Sequence, residues 1–137
     1  MTHIESFLWG FDDPNSEYQL VFEDDYKAAY AYLRCEGQGI VSHVWLYNRV
    51  ATPKRLKWGL IRNAPSVNSA KYVKDGEGVA PVDKFSDLKV VWGDVVGADC
   101  MVELYIRGER FARLRSDAKT GYSFQTKRDS VLSKILV

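Results

Sequence analysis

The chain is poor in the residues that build reactive or cross-linked sites. Two cysteines among 137 residues are too few for a disulfide framework, and the order His3, Cys35, His43, Cys100 lacks the paired spacing of a zinc-finger ligand set. Cys35 and Cys100 lie far apart in apolar-patterned sequence, which predicts two reduced, buried thiols. Long apolar runs are also missing. The longest, Ala28–Leu33, falls far below the ~18 residues of a spanning helix. The first six residues, Met1-Thr2-His3-Ile4-Glu5-Ser6, show neither the basic start nor the apolar core of a secretory signal. A cytoplasmic location is therefore the expectation, without a membrane partner. Charge of one sign is lacking too. Nineteen Lys and Arg stand against 18 Asp and Glu, a net +1, so no global field draws the chain to nucleic acid.

What is present is a strong period of two. In residues 18–23, Tyr18, Leu20 and Phe22 fall on one side. After a four-residue turn, Asp24–Lys27, the run Ala28–Cys35 sets Ala29, Ala31, Leu33 and Cys35 against Tyr30, Tyr32 and Arg34. Glu36-Gly37-Gln38-Gly39 then turns the chain into the β-rich Ile40–Tyr47. This reads as an antiparallel meander. A second hairpin follows from Val102, Leu104 and Ile106, with Ala112 and Leu114 after Gly108. Parity demands that facing residues share a side, which pairs Val102 with Leu114, Leu104 with Ala112 and Glu103 with Arg113. That register implies an odd-length loop, Arg107-Gly108-Glu109.

The fold class expected is mainly β: an antiparallel sandwich or strongly bent sheet of about seven to nine strands, with α+β as the alternative. One domain spans residues 1–137. Within it, 49–88 is an irregular ordered segment broken by Pro53, Pro65 and Pro81. Short strands are expected at Lys71–Val73 and Lys89–Trp92, and loop packing by Trp58, Leu60, Ile61 and Phe85. A short C-terminal helix is expected, capped by Asp129 or Ser130, with Val131, Leu132, Ile135 and Leu136 as its stripe.

Charge is balanced in total but segregated along the chain. Residues 1–26 carry seven acids and no Lys or Arg; residues 37–74 carry seven bases and no acid. The two segments either pair with each other or present opposed patches. Asp12, Asp13, Glu23, Asp24 and Asp25 fall at expected turns, where Asp bonds nearby N–H groups. They lack the spacing of a calcium loop, so no metal is assigned. The basic segment interleaves Trp45, Tyr47, Arg49, Lys54, Arg55, Lys57, Trp58 and Arg62. That composition also suits single-stranded nucleic acid or a phosphate ligand, although core aromatics beside a solvated loop explain it as well. His43 sits in an expected strand beside Val41 and Trp45, without a local nucleophile or base. No catalytic residue and no cofactor is assigned, and a small enzyme on a β scaffold is the third reading.

The stretches FEDDYKAAYAYL, GIVSHVWLYNR and GYSFQTKRDSVLSKIL together resemble small single-domain bacterial proteins. Those are similar to immunity partners of polymorphic toxins delivered by contact-dependent or type VI secretion. The resemblance implies a non-enzymatic cytoplasmic protein that occludes a cognate toxin by surface complementarity. Asp12, Asp13, Glu23, Asp24 and Asp25 are then the expected contact. Tyr47, Arg49, Lys54, Arg55, Lys57 and Trp58 are the second choice.

Overall fold

The computed structural model describes residues 7–25, 28–48, 81–95, 98–126, 129–130 and 132–136. Among them are nine strands in two sheets and no α-helix. The first sheet is an antiparallel meander in the order β1-β2-β3-β4, from β1 (Phe7–Asp12), β2 (Tyr18–Asp24), β3 (Ala28–Cys35) and β4 (Gly39–Asn48). The second runs β5-β6-β7-β8-β9, from β5 (Leu88–Val95), β6 (Ala98–Ile106), β7 (Glu109–Arg115), β8 (Tyr122–Ser123) and β9 (Lys134–Ile135). Its pairings are antiparallel except for β8 with β9, which are parallel. The mainly β architecture is thus as the alternation implies. The strand expected at Lys89–Trp92 lies within β5; the one at Lys71–Val73 falls outside the described residues.

Each sheet turns one face inward. Leu20, Phe22, Ala29, Ala31, Leu33, Val44 and Leu46 pack against Val102, Leu104, Ile106, Ala112 and Leu114. β7 crosses β3 and β4, and Ala31 and Ala112, both buried, keep the layers thin there. Both cysteines are free and buried.

The second hairpin has the register that parity demands: Val102↔Leu114, Glu103↔Arg113 and Leu104↔Ala112. The loop differs. Ile106 pairs with Glu109, so only Arg107 and Gly108 connect the strands. Both have positive φ, 50° and 85°, the geometry whose twist suits a two-residue hairpin turn. The odd residue enters instead as a bulge: Tyr105 pairs with Arg110 and Leu104 with Ala112, leaving Phe111 extra. The first hairpin turns one residue later than expected, because Asp24 ends β2 opposite Ala29.

The C-terminal helix is overturned. Val131 falls outside the described residues; of the others in 129–136, Leu132 borders the edge of β4 and Lys134–Ile135 form β9 beside β8. Trp45 N–H donates to Leu132 O at 2.8 Å, and Lys134 N–H to Gly121 O at 2.8 Å. Asp129 and Ser130 do accept backbone N–H groups, but of Ile135 and Leu132, not of a first helical turn. A helix this short is marginal alone, and inter-strand bonds win. Leu132 is buried beside Trp45 and Ala28, whereas Ile135 is exposed, so the apolar stripe is not one face.

Gly121 fixes the seam between the sheets. Its N–H donates to His43 O at 2.8 Å, and a Cβ there would lie 2.7 Å from Arg113 O and 3.1 Å from Val44 Cβ. Gly121→Ala is therefore expected to cost about 1–3 kcal/mol by overpacking a rigid backbone contact. Leu104→Ala should cost about 2–4 kcal/mol, since Leu104 is fully buried. Half-buried Tyr105→Ala should cost clearly less. Urea denaturation of the three variants measures all of these.

Candidate functional site

The outward face of the first sheet concentrates acid and aromatic groups. Cross-strand register lays it out in three rows: Leu8, Glu23, Tyr30 and Trp45; then Gly10, Val21, Tyr32 and His43; then Asp12, Gln19, Arg34 and Ile40. Alternation alone puts these side chains on one face, because their chain neighbours Trp9, Leu20, Phe22, Ala31 and Leu33 point inward. Trp45 is the exception to exposure. It is buried under Leu132 and Ala28, and its indole N–H donates to Asn48 Oδ1 at 2.8 Å.

Polar contacts stiffen the rows. Tyr32 Oη donates to Glu23 Oε1 at 2.7 Å, and the Tyr30 and Tyr32 rings stack with centroids 6.2 Å apart. Arg34 donates to Gln19 Oε1 at 3.2 Å, and Gln19 Nε2 to Asp12 Oδ1 at 3.0 Å. The absent side chain of Gly10 leaves room for the Gln19 amide. Beside this chain of bonds is a depression of about 400 Å³ lined by Asp12, Glu17, Arg34 and Glu36 among others. Asp12, Asp13, Glu17, Glu23, Asp25 and Glu36 lie on the face or in the turns at its ends. Arg34 is the one Lys or Arg there among the described residues. Leu8, 59% exposed, gives the face an apolar corner.

The five acids singled out from sequence have different fates. Asp13 is a turn residue: Oδ1 accepts Asn15 N–H and Oδ2 the Ser16 hydroxyl. Asp25 closes the β2–β3 turn by accepting Ala28 N–H at 2.8 Å. Asp24 is in the core, where it accepts the Tyr47 hydroxyl at 3.0 Å, and Tyr47 Oη in turn accepts Val82 N–H at 2.9 Å. Only Asp12 and Glu23 present carboxylates on the face itself. Of the second set, Tyr47 is buried, while Arg49, Lys54, Arg55, Lys57 and Trp58 lie outside the described residues. Trp58, Leu60 and Ile61 fall outside too. Phe85 does pack, stacking on Phe11 at 4.9 Å.

Segment composition did not reveal the second sheet's outward face. Lys89, Tyr105, Arg110, Arg113, Arg115, Tyr122 and Lys134 share it with Glu103. Three of these cations are committed. Arg110 and Arg113 reach Glu103 Oε2 at 3.1 and 3.5 Å, and Arg115 holds Asp117 at 2.8 Å. That hydrogen bond holds the Asp117 carboxyl below its usual range. The alternation of 109–115 was the available signal. His43 spends its backbone N–H on Lys119 O at 2.9 Å. Among the described residues no three His, Cys, Asp or Glu are grouped to hold a metal, and no helix is long and apolar enough to cross a membrane.

No protein-family model matches the chain, and no curated protein or solved structure matches it.

The tyrosines carry a pH signature. Burial, chiefly, pushes both phenols well above their ordinary 10.0; charges of Asp25 and Glu23 add for Tyr30, and the bond to Glu23 adds for Tyr32. A phenol whose pKa is higher folded than unfolded stabilises the fold fully below the unfolded value and loses that stabilisation as pH rises beyond it. Stability should fall as pH climbs past about 10. Tyr32→Phe should lower stability near neutrality by about 1–2 kcal/mol for the lost bond to Glu23 and flatten the fall above pH 10, as urea midpoints from pH 7 to 11 would show.

Proposed function

We propose that this protein is a non-enzymatic, cytoplasmic inhibitor that covers a cationic partner protein with the outward face of β1–β3. The partner class is a bacterial toxin whose active surface holds phosphates, so the protein acts as its immunity partner. One observation carries this reading: half-buried Glu23, oriented by Tyr32, stands beside exposed Leu8 at one end of the face, and the carboxylates of Asp12, Glu17 and Glu36 border the depression at the other. A surface that must bind a nucleic-acid backbone is basic. Carboxylates at the rim speed encounter with it, and aromatic anchors at the centre hold the complex. Tyr30 and Tyr32 are stacked before any partner arrives, which lowers the ordering cost of binding.

The second reading, single-stranded nucleic acid, gains Tyr105 and Tyr122 on the basic outward face of the second sheet. It is weaker because Glu103 and Asp117 occupy the three arginines.

Surface plasmon resonance against the product of the adjacent gene, at two salt concentrations, tests the reading. Asp12→Lys with Glu17→Lys should slow association about tenfold and leave dissociation nearly unchanged, because steering acts on encounter. Tyr32→Ala should instead speed dissociation about tenfold or more, the effect of an interface anchor. Asp24 is excluded from the design, since replacing it would disturb the core. Unchanged kinetics in both variants would remove the face from the contact. Salt-dependent capture of an oligonucleotide would move the function to the second sheet.

A further inference from the structure

The outer edge of β1 is open. Asp13 N–H donates to Tyr18 O, so the hydrogen-bonded pairs between β1 and β2 fall at Phe11, Trp9 and Phe7. The N–H and C=O groups of Leu8, Gly10 and Asp12 therefore point away from β2, and they make no backbone hydrogen bond among the described residues. Leu8 and Gly10 are both exposed.

Natural sheets blunt such edges. The other edges here are blunted. β4 is covered by Lys119, Gly121 and Leu132. β5 carries Lys89 and a bulge between Gly93 and Val95. β9 is only Lys134–Ile135. β1 runs Phe7–Asp12 without Lys, Arg or Pro and pairs with β2 without a bulge.

The two sides of this edge differ in chemistry. On the inward side, Phe85 stacks on Phe11 at 4.9 Å and meets Trp9 edge-on at 5.7 Å, yet it is 52% exposed. On the outward side are Asp12 and Glu23, and neither β1 nor β2 contains a Lys or Arg. Side chains of a strand laid along the edge would alternate between an aromatic ring and carboxylates.

We propose that β1 accepts an added strand from the cationic partner: an extended segment in which Lys or Arg alternates with apolar residues. Its backbone pairs with Leu8, Gly10 and Asp12. Its cations point toward Asp12 and Glu23, and its apolar side chains pack on Phe85. A second copy of this chain fits less well, because its own β1 would bring another acidic face alongside the first. This docking mode rests on the reading of the outward face as the site of a cationic partner.

The probe is a capped peptide of four lysine–valine repeats, followed by amide NMR of the full chain. Saturable binding is expected, with shifts concentrated at residues 8–12 and at Phe85. A peptide of the same composition with its lysines and valines in separate blocks should bind about tenfold more weakly or worse. N-methylating either the lysines or the valines blocks one edge of the added strand: one set should abolish binding and the other should leave it within about twofold. Phe85→Ala should weaken the alternating peptide about fivefold, and Leu8→Pro about tenfold. The Leu8 N–H lies outside the ladder with β2, so the fold tolerates proline there.

Equal binding of the two peptides, equal effects of the two methylations, or shifts away from β1 would overturn the proposal. So would a concentration-dependent dimer in sedimentation that Leu8→Pro abolishes, which would give the edge to a second copy. Against the product of the adjacent gene, Leu8→Pro should speed dissociation about tenfold. No such effect, while Asp12→Lys with Glu17→Lys still slows association, would overturn strand addition alone and leave the acidic face as the contact.

Discussion

The outer edge of β4 is the constraint on which the rest of the structure depends. An edge strand leaves a row of N–H and C=O groups that must find partners. Here Lys119, Gly121 and Leu132 supply partners: His43 bonds Lys119 and Gly121, and Trp45 bonds Leu132. These bonds join the two sheets at one seam. They also require glycine at 121, where backbone and Val44 close in from both sides. Beyond the seam, Thr126 and Ser133, both buried, bond each other, so the tail's polar groups are answered inside the fold.

A second buried polar link ties distant chain to this frame. Tyr47 Oη donates to Asp24 and accepts from Val82, so β2, β4 and the stretch before β5 meet at one hydroxyl. Truncating any member would leave another polar group unanswered in the core. Arg107 makes a similar link at the surface, donating to Pro81 O at 2.7 Å. An acid that reads as surface charge in the sequence is here a structural part of the core.

The outward faces then divide the charge. Carboxylates collect on and around β1–β3, guanidinium groups on β7. The basic face largely answers its own charge through Glu103 and Asp117, whereas the acidic face has Arg34 alone among the described residues. Among the described residues that asymmetry leaves the first sheet's outward carboxylates with a single cation.

Period two and turn chemistry determined β2, β3, β4, β6 and β7, most of their inward residues and the register of β6 with β7, because side-chain parity on a pleated strand is set locally, whereas β1, β8 and β9 were not legible in that pattern. The sequence also located both hairpin turns to within a residue. Tertiary structure decided the rest. The motif around Asp129 and Ser130 has the residues of a helix start, yet Ser130 N–H turns to Ser133 O, while β4 claims the Leu132 C=O and Gly121 the Lys134 N–H across the fold. Asp24 and Asp25 are neighbours with the same side chain, but alternation sends one into the core and leaves the other in the turn. The third row, where Gln19 links Asp12 to Arg34, depends on strand pairing between residues 7 and 15 apart in sequence. Ser42 reads as an ordinary strand serine; only the packing of the inward row it shares with Leu33 and Leu20 leaves its hydroxyl buried and without a partner among the described residues.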